Sequence, residues 1–351
     1  MRFRSRSLIV FIAVLLVSCA LLVWAQETKT PVFRTKVDLV VLTFTVTDSK
    51  GRYVNGLKPG DFRILEDGIV EKISTFADGN KPAVQVNDDG TVRPLIGSAG
   101  DSKPGIDPRS DAFVGTNVFV LFDTSNFMYR GFVYAEDAIA DFVRGLDRAD
   151  SVAMYSFSRN LSRAAQLSRD RGEAIVGLRK VVAGDDTALY NALLLTLRDA
   201  AKVPGRKVVI VFSNGPDNSS VVPPEDVAEL AQSSGIPIYM ISTREARLEP
   251  VSTAVFERMT AATGGKAYFS KNWRDERKAF ASIRDDLGHL YSLSYSPKSN
   301  PNHGWRNITV KLVGDHLKNY RVRTRNGYRP QPSRFSVGNV TEAPANGAGS
   351  N

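Results

Sequence analysis

Asp123 and Ser125 stand two residues apart at the end of the apolar run Val118 to Phe122, so a carboxylate and a hydroxyl leave a buried strand together. In an open α/β sheet the crevice outside the carboxyl ends of the strands is where ligands bind, and two oxygen donors delivered there can face one cation. Two more segments carry donors of the same hard type. Thr187 lies in Gly184-Asp185-Asp186-Thr187-Ala188-Leu189-Tyr190, ahead of a helical pattern, and Asn214 lies in Phe212-Ser213-Asn214-Gly215-Pro216-Asp217-Asn218, after a second apolar run.

Catalytic chemistry fits these residues poorly. The three histidines, His289, His303 and His316, all follow the region that holds the candidate donors, so a serine relay at Ser125 or Ser213 lacks its base. No G-x-S-x-G elbow and no G-x-x-x-x-G-K phosphate loop is present. Asp185 and Asp186 read as an N-cap and as partners of a helix dipole rather than as paired acids. The expectation is a binding protein, not an enzyme.

The donors need a scaffold, and the 42% hydrophobic content is ample for one. Between residues 113 and 287 short apolar runs alternate with helical patterns, the signature of βαβ units around a mainly parallel sheet. Strands are predicted at 118–122, 152–157, 208–212, 236–241 and 266–269. Ala135, Ile139, Phe142 and Leu146 share one helical face, as do Leu189, Leu193, Leu197 and Ala200, and further helices are expected near 224–234, 252–263 and 275–287. Upstream, alternation of Val40, Leu42, Phe44 and Val46 with Val41, Thr43, Thr45 and Thr47 predicts a strand, followed by strands at 62–65 and 69–76. Strands return at 290–296, 308–313 and 320–324. They need a sheet to join, so residues 26–77 and 288–330 are expected to build one small all-β, sandwich-like module around the α/β domain at 113–287. The Gly- and Pro-rich residues 78–112 read as a linker and 331–351 as a disordered tail.

Arg2, Arg4 and Arg6 precede an apolar run from Leu8 to Trp24 and a small residue, Ala25. This pattern predicts an export signal over 1–25 and a secreted, periplasmic or cell-envelope protein. An uncleaved membrane anchor and lipidation at Cys19 are the alternatives. Cys19 is the only cysteine, so a chain cut after Ala25 has no thiol for disulfides, metal or catalysis. The net charge of +9 concentrates at the end, where residues 288–351 hold nine Lys and Arg against two Asp and Glu. Without aromatic interleaving this reads as a solvated strand face and not as a nucleic-acid surface.

The three donor segments, in this order and spacing, resemble the von Willebrand factor A domain, whose site runs D-x-S-x-S, then a threonine before a helix, then an aspartate in a D-G turn. The flanks, with Val54-Asn55-Gly56-Leu57, Asp61-Phe62, Glu66-Asp67-Gly68 and Arg325-Asn326-Gly327-Tyr328, resemble the von Willebrand factor A-related exported proteins of acidobacteria. The resemblance implies a doubly wound, mainly parallel α/β sheet and a metal-dependent adhesion site at Asp123, Ser125, Thr187 and Asn214. Two positions depart from it: Phe127 stands for the second serine and Asn214 for the later aspartate. Phenylalanine offers no ligand, and asparagine brings a carbonyl without charge. Asp186 and Asp217 are the carboxylates that could compensate. Mg²⁺ or Mn²⁺ binding is therefore expected to be weak or absent, with a metal-free polar cluster tying loops to strand ends as the other arrangement. The function so implied is non-catalytic binding of a protein ligand through a degenerate site. A structural role in the envelope comes second and hydrolysis third.

Overall fold

The computed structural model describes residues 39–94, 115–126, 128, 132–147, 150–243 and 248–330. The expected signal at 1–25, much of the expected linker, Phe127 and the expected tail at 331–351 lie outside them. No helix among the described residues is long and apolar enough to cross a membrane.

A six-stranded sheet forms the α/β part. Strands β7 (Thr116–Asp123), β8 (Ser151–Phe157), β10 (Arg206–Ser213), β11 (Ile238–Ser242) and β12 (Ala267–Phe269) run parallel, and β9 (Leu161–Ser168) closes one edge antiparallel to β8, in the order β12-β11-β10-β7-β8-β9. Helices cover both faces, which is why β7 and β10 read as unbroken apolar runs. Val118, Val120 and Phe122 pack beneath α1 (Phe132–Arg144), α2 (Arg171–Leu178) and α6 (Trp273–Gly288). Phe119 and Leu121 point the other way, beneath α3 (Leu189–Ala201), α4 (Pro224–Ser233) and α5 (Pro250–Thr263). Neither β9 nor α2 is among the predicted elements. Leu161-Ser-Arg-Ala-Ala-Gln-Leu-Ser has no clean alternation and stays half exposed, because an edge strand with shifted register is not required to bury one face.

The β module uses both ends of the chain. Strands β1 (Val40–Thr47), β4 (Ile73–Asp78), β5 (Val84–Val86), β6 (Val92–Pro94), β13 (Tyr291–Tyr295) and β15 (Arg321–Arg323) form one sheet in the order β15-β1-β13-β4-β5-β6. Strands β2 (Phe62–Glu66), β3 (Ile69–Glu71), β14 (Arg306–Leu312) and β16 (Gly327–Tyr328) form the other, in the order β16-β14-β2-β3. Residue Leu293 faces Leu42 on one side and Phe76 on the other, so the C-terminal strand completes the N-terminal sheet. Two expectations need correction. The single strand at 69–76 breaks at Lys72, where the chain passes from one sheet to the other, a corner that a run of apolar alternation does not reveal. Part of the segment expected to be linker, residues 84–86 and 92–94, is hairpin strand; three-residue strands between glycines carry too little pattern to be read.

Between the sheets, Phe44 lies 5.1 Å from Phe62 and 5.5 Å from Tyr291 by ring centroids. Glu66 is fully buried there and fully occupied: Arg306 bonds it at 2.7 Å, and the Tyr295 and Tyr328 hydroxyls donate to it at 2.8 and 2.9 Å. The module meets the α/β part at the ends of the parallel strands opposite Asp123. Arg206, at the start of β10, donates to Gly79 O and Asn80 Oδ1, each at 2.8 Å. Near the end of α6, Asp286 accepts from Arg323 of β15 at 2.6 Å and from Tyr53.

Candidate metal and ligand site

Asp123 is the last residue of β7 and Ser213 the last of its neighbour β10, with Phe122 paired to Phe212 just before them. Parallel pairing therefore delivers both side chains to one spot. The Ser213 hydroxyl donates to Asp123 Oδ2 at 2.6 Å, and the Ser125 amide donates to Oδ1 at 2.9 Å. The sequence reading weighed Ser213 only as a relay nucleophile and not as a partner of Asp123; its place at the end of a strand paired to β7 is the signal for that role.

Main-chain bonds then stitch three loops together. Gly184 N donates to Thr124 O at 2.8 Å and Asn126 N to Asp185 O at 3.0 Å, which docks the loop before α3 on the loop after β7. Asn218 N and Ser219 N donate to Thr187 O at 3.1 and 3.0 Å, and Thr187 N donates to Asn218 Oδ1 at 3.0 Å. Asn214 sits at the bend between β10 and the third loop. Gly215 follows it at φ +109°, a backbone state that side chains with a Cβ rarely take, and a Cβ there would meet Ser252 at 3.0 Å.

The four predicted donors all converge on this end of the sheet, and all are buried: Asp123, Ser125, Thr187 and Asn214. Removal from water pushes the Asp123 carboxyl up from its ordinary pKa, the nearby Asp217 charge adds to the rise, and the bonds from Ser213 and Ser125 oppose it. The Ser125 hydroxyl lies near enough to Asp123 to share in that opposition but makes no hydrogen bond of good geometry. Ser125 Oγ, Thr187 Oγ1 and both side-chain polar atoms of Asn214 are buried with no hydrogen-bond partner among the described residues. Each such group costs about 1–3 kcal/mol when left unmade, so these atoms favour a polar occupant such as water or a cation.

The two compensating aspartates are engaged elsewhere. Asp186 pairs with Arg159 and accepts from Asn218 Nδ2 at 3.3 Å. Asp217 accepts from Tyr190 N at 3.0 Å and from Ser219 N and Ser220 N at 3.2 and 2.9 Å. Together with Ser220 Oγ, which accepts from Asn191 N at 3.0 Å, Asp217 thus caps α3. That corrects the N-cap role expected of Asp185 and Asp186: the capping position is Ala188, and the amides of the first turn point at a loop 27 residues away in the chain.

The donor set is all oxygen apart from the asparagine nitrogen, which suits a hard divalent cation, but it holds one carboxylate. Among the described residues there is no group of three or more His, Cys, Asp or Glu able to hold a metal. The residues thus fit Mg²⁺ or Mn²⁺ in kind and fall short in charge. His289 stacks on Tyr53, with ring centroids 4.6 Å apart.

The family model of the von Willebrand factor type A domain matches residues 117–282. Among solved structures, the conserved hypothetical protein BatB from Bacteroides thetaiotaomicron is 17% identical over 49% of this chain and 97% of its own, with a TM-score of 0.41. A von Willebrand factor type A protein from Catenulispora acidiphila is 12% identical over 87% of this chain and 77% of its own, with a TM-score of 0.42. Proximal thread matrix protein 1 from the mussel byssus, solved with a zinc occupied MIDAS motif, is 16% identical over 53% of this chain and 48% of its own, with a TM-score of 0.41. No curated protein matches the chain.

Proposed function

With residues 117–282 forming a von Willebrand factor type A domain, we propose that the chain is a non-catalytic, extracytoplasmic protein-binding module whose ligand docks at the crevice of Asp123, Ser125, Thr187 and Asn214. The observation that carries the reading is the set of unpartnered, buried side-chain atoms of Ser125, Thr187 and Asn214 beside one buried carboxylate. Asp123 would hold Mg²⁺ or Mn²⁺ with the two hydroxyls and the Asn214 carbonyl. When bound, the cation supplies a Lewis-acid point that an acidic side chain of a protein ligand can complete. Ser213 keeps one carboxylate oxygen of Asp123 oriented, and the stitched loops hold the hydroxyls in place before any ligand arrives. With one charge in the donor set, affinity for the cation is weak. The export signal expected over residues 1–25 supports a location outside the cytoplasm.

The test is thermal unfolding of the full chain with and without Mg²⁺ or Mn²⁺. A cation held a hundredfold above its Kd stabilises the fold by about 2.7 kcal/mol by mass action. Asp123→Ala should abolish that gain. An unfolding temperature indifferent to millimolar cation in the parent would leave a metal-free polar cluster and a structural role.

A further inference from the structure

We propose that the cleft between α5, β12 and the C-terminal strands of the β module is a second binding surface, which takes an extended acidic segment of a partner protein by strand addition. The cleft encloses ≈ 590 Å³ and lies away from Asp123, between the α/β sheet and the β module. Lys266 and Ala267 form one wall, Thr309 and Val310 of β14 another, and Val322 and Arg323 of β15 the third.

Each wall is a strand with one side unpaired. β12 is the outer strand of its sheet and β15 the outer strand of another. β14 pairs with β2 along Ile308 to Leu312 but meets β16 only at Arg306 and Asn307, so its far half has a free edge as well. Free edges present rows of amides and carbonyls that an extended peptide can satisfy, and strand addition uses this chemistry.

Charge decides which peptide. Lys266, Arg323 and Arg325 line the cleft against the single acid Glu257. Arg323 is neutralised by Asp286. Arg325 makes no ion pair at contact distance among the described residues: it is 6% exposed, its two terminal nitrogens donate to the carbonyls of Gln232 and Val41, its Nε–H has no acceptor there, and the Glu66 carboxylate acts on it at longer range. The accessible positive charge of the cleft is therefore the exposed Lys266, which a carboxylate brought into the cleft can pair. The exposed Lys311 and Arg321 continue the positive character along the β14 and β15 edges, so a second copy of these edges would be repelled while an acidic strand is drawn in.

The probe is a fluorescein-labelled eight-residue peptide of alternating Val and Glu, titrated against the full chain by anisotropy. An alternating Val and Lys peptide and a backbone N-methylated Val and Glu peptide serve as controls. The acidic peptide should bind in a salt-sensitive manner and the two controls should not. EDTA and Asp123→Ala should leave its affinity unchanged, which separates this surface from the cation crevice. Lys266→Glu, at an exposed position, should weaken binding roughly tenfold. Equal anisotropy for the acidic and basic peptides, or an affinity indifferent to Lys266→Glu, overturns the proposal. So does loss of binding with EDTA, and so does binding that appears only after residues 331–351 are removed, since the tail would then be the occupant.

Discussion

Glu276 sits in the first turn of α6 with 8% of its surface exposed. Burial pushes its carboxyl from the ordinary 4.5 to about 7, with Asp275 next to it adding to the rise. The start of a helix favours a negative charge by about 0.3–1 kcal/mol, so the loss of hydration outweighs the dipole at this position. Because the folded chain binds this proton more tightly than the unfolded chain, the associated stability is complete below about pH 4.5 and is lost as pH rises through about 7. A rise of this size corresponds to roughly 3 kcal/mol at the upper limit, and residual contact with solvent reduces it to the order of 1–2 kcal/mol. Glu276→Gln keeps the shape and removes the charge. The variant should equal the parent near pH 4.5 and exceed it at pH 8 by about 2–8 °C in Tm, given roughly 2–4 °C per kcal/mol for a domain of this size. The assay is a pair of Tm profiles from pH 4.5 to 8. Parallel profiles with a constant offset would refute the reasoning, because they would show that the side chain matters by packing and not by its proton.

Arg306→Met should strand the buried Glu66 carboxylate and cost about 3–5 kcal/mol in denaturant unfolding, while Glu66→Gln in the same background should recover part of the loss. A mild single-variant effect would mean that the Tyr295 and Tyr328 hydroxyls suffice as partners. Asn214→Asp adds the second carboxylate that the cation crevice lacks, and calorimetric titration with Mn²⁺ should show tighter binding than in the parent. An unchanged affinity would mean that this side chain does not reach the ion.

The sequence by itself carried the parallel sheet and the end of it at which the candidate donors gather. The unbroken apolar runs at Val118 to Phe122 and Val208 to Phe212 mark strands covered on both faces, and any donor placed just after such a strand must emerge at the same end of the sheet as its neighbours. That is why Asp123, Ser125, Thr187 and Asn214 could be grouped from local pattern and family likeness. It also carried the sharing of one β module by the two ends of the chain, since unpaired strands must find partners. Only the tertiary structure decided where the remaining polar groups go. Asp217 caps α3 from another loop, Asp186 is held by Arg159, and Ser213 bonds Asp123, because hydrogen bonds between loops depend on how separate segments dock and leave no periodic trace in the chain. The sheet change at Lys72, the edge strand β9 and the burial of Arg325 belong to the same class. A residue's type and its neighbours in sequence set what it can bond, whereas its solvent exposure and its partners are properties of the packed whole.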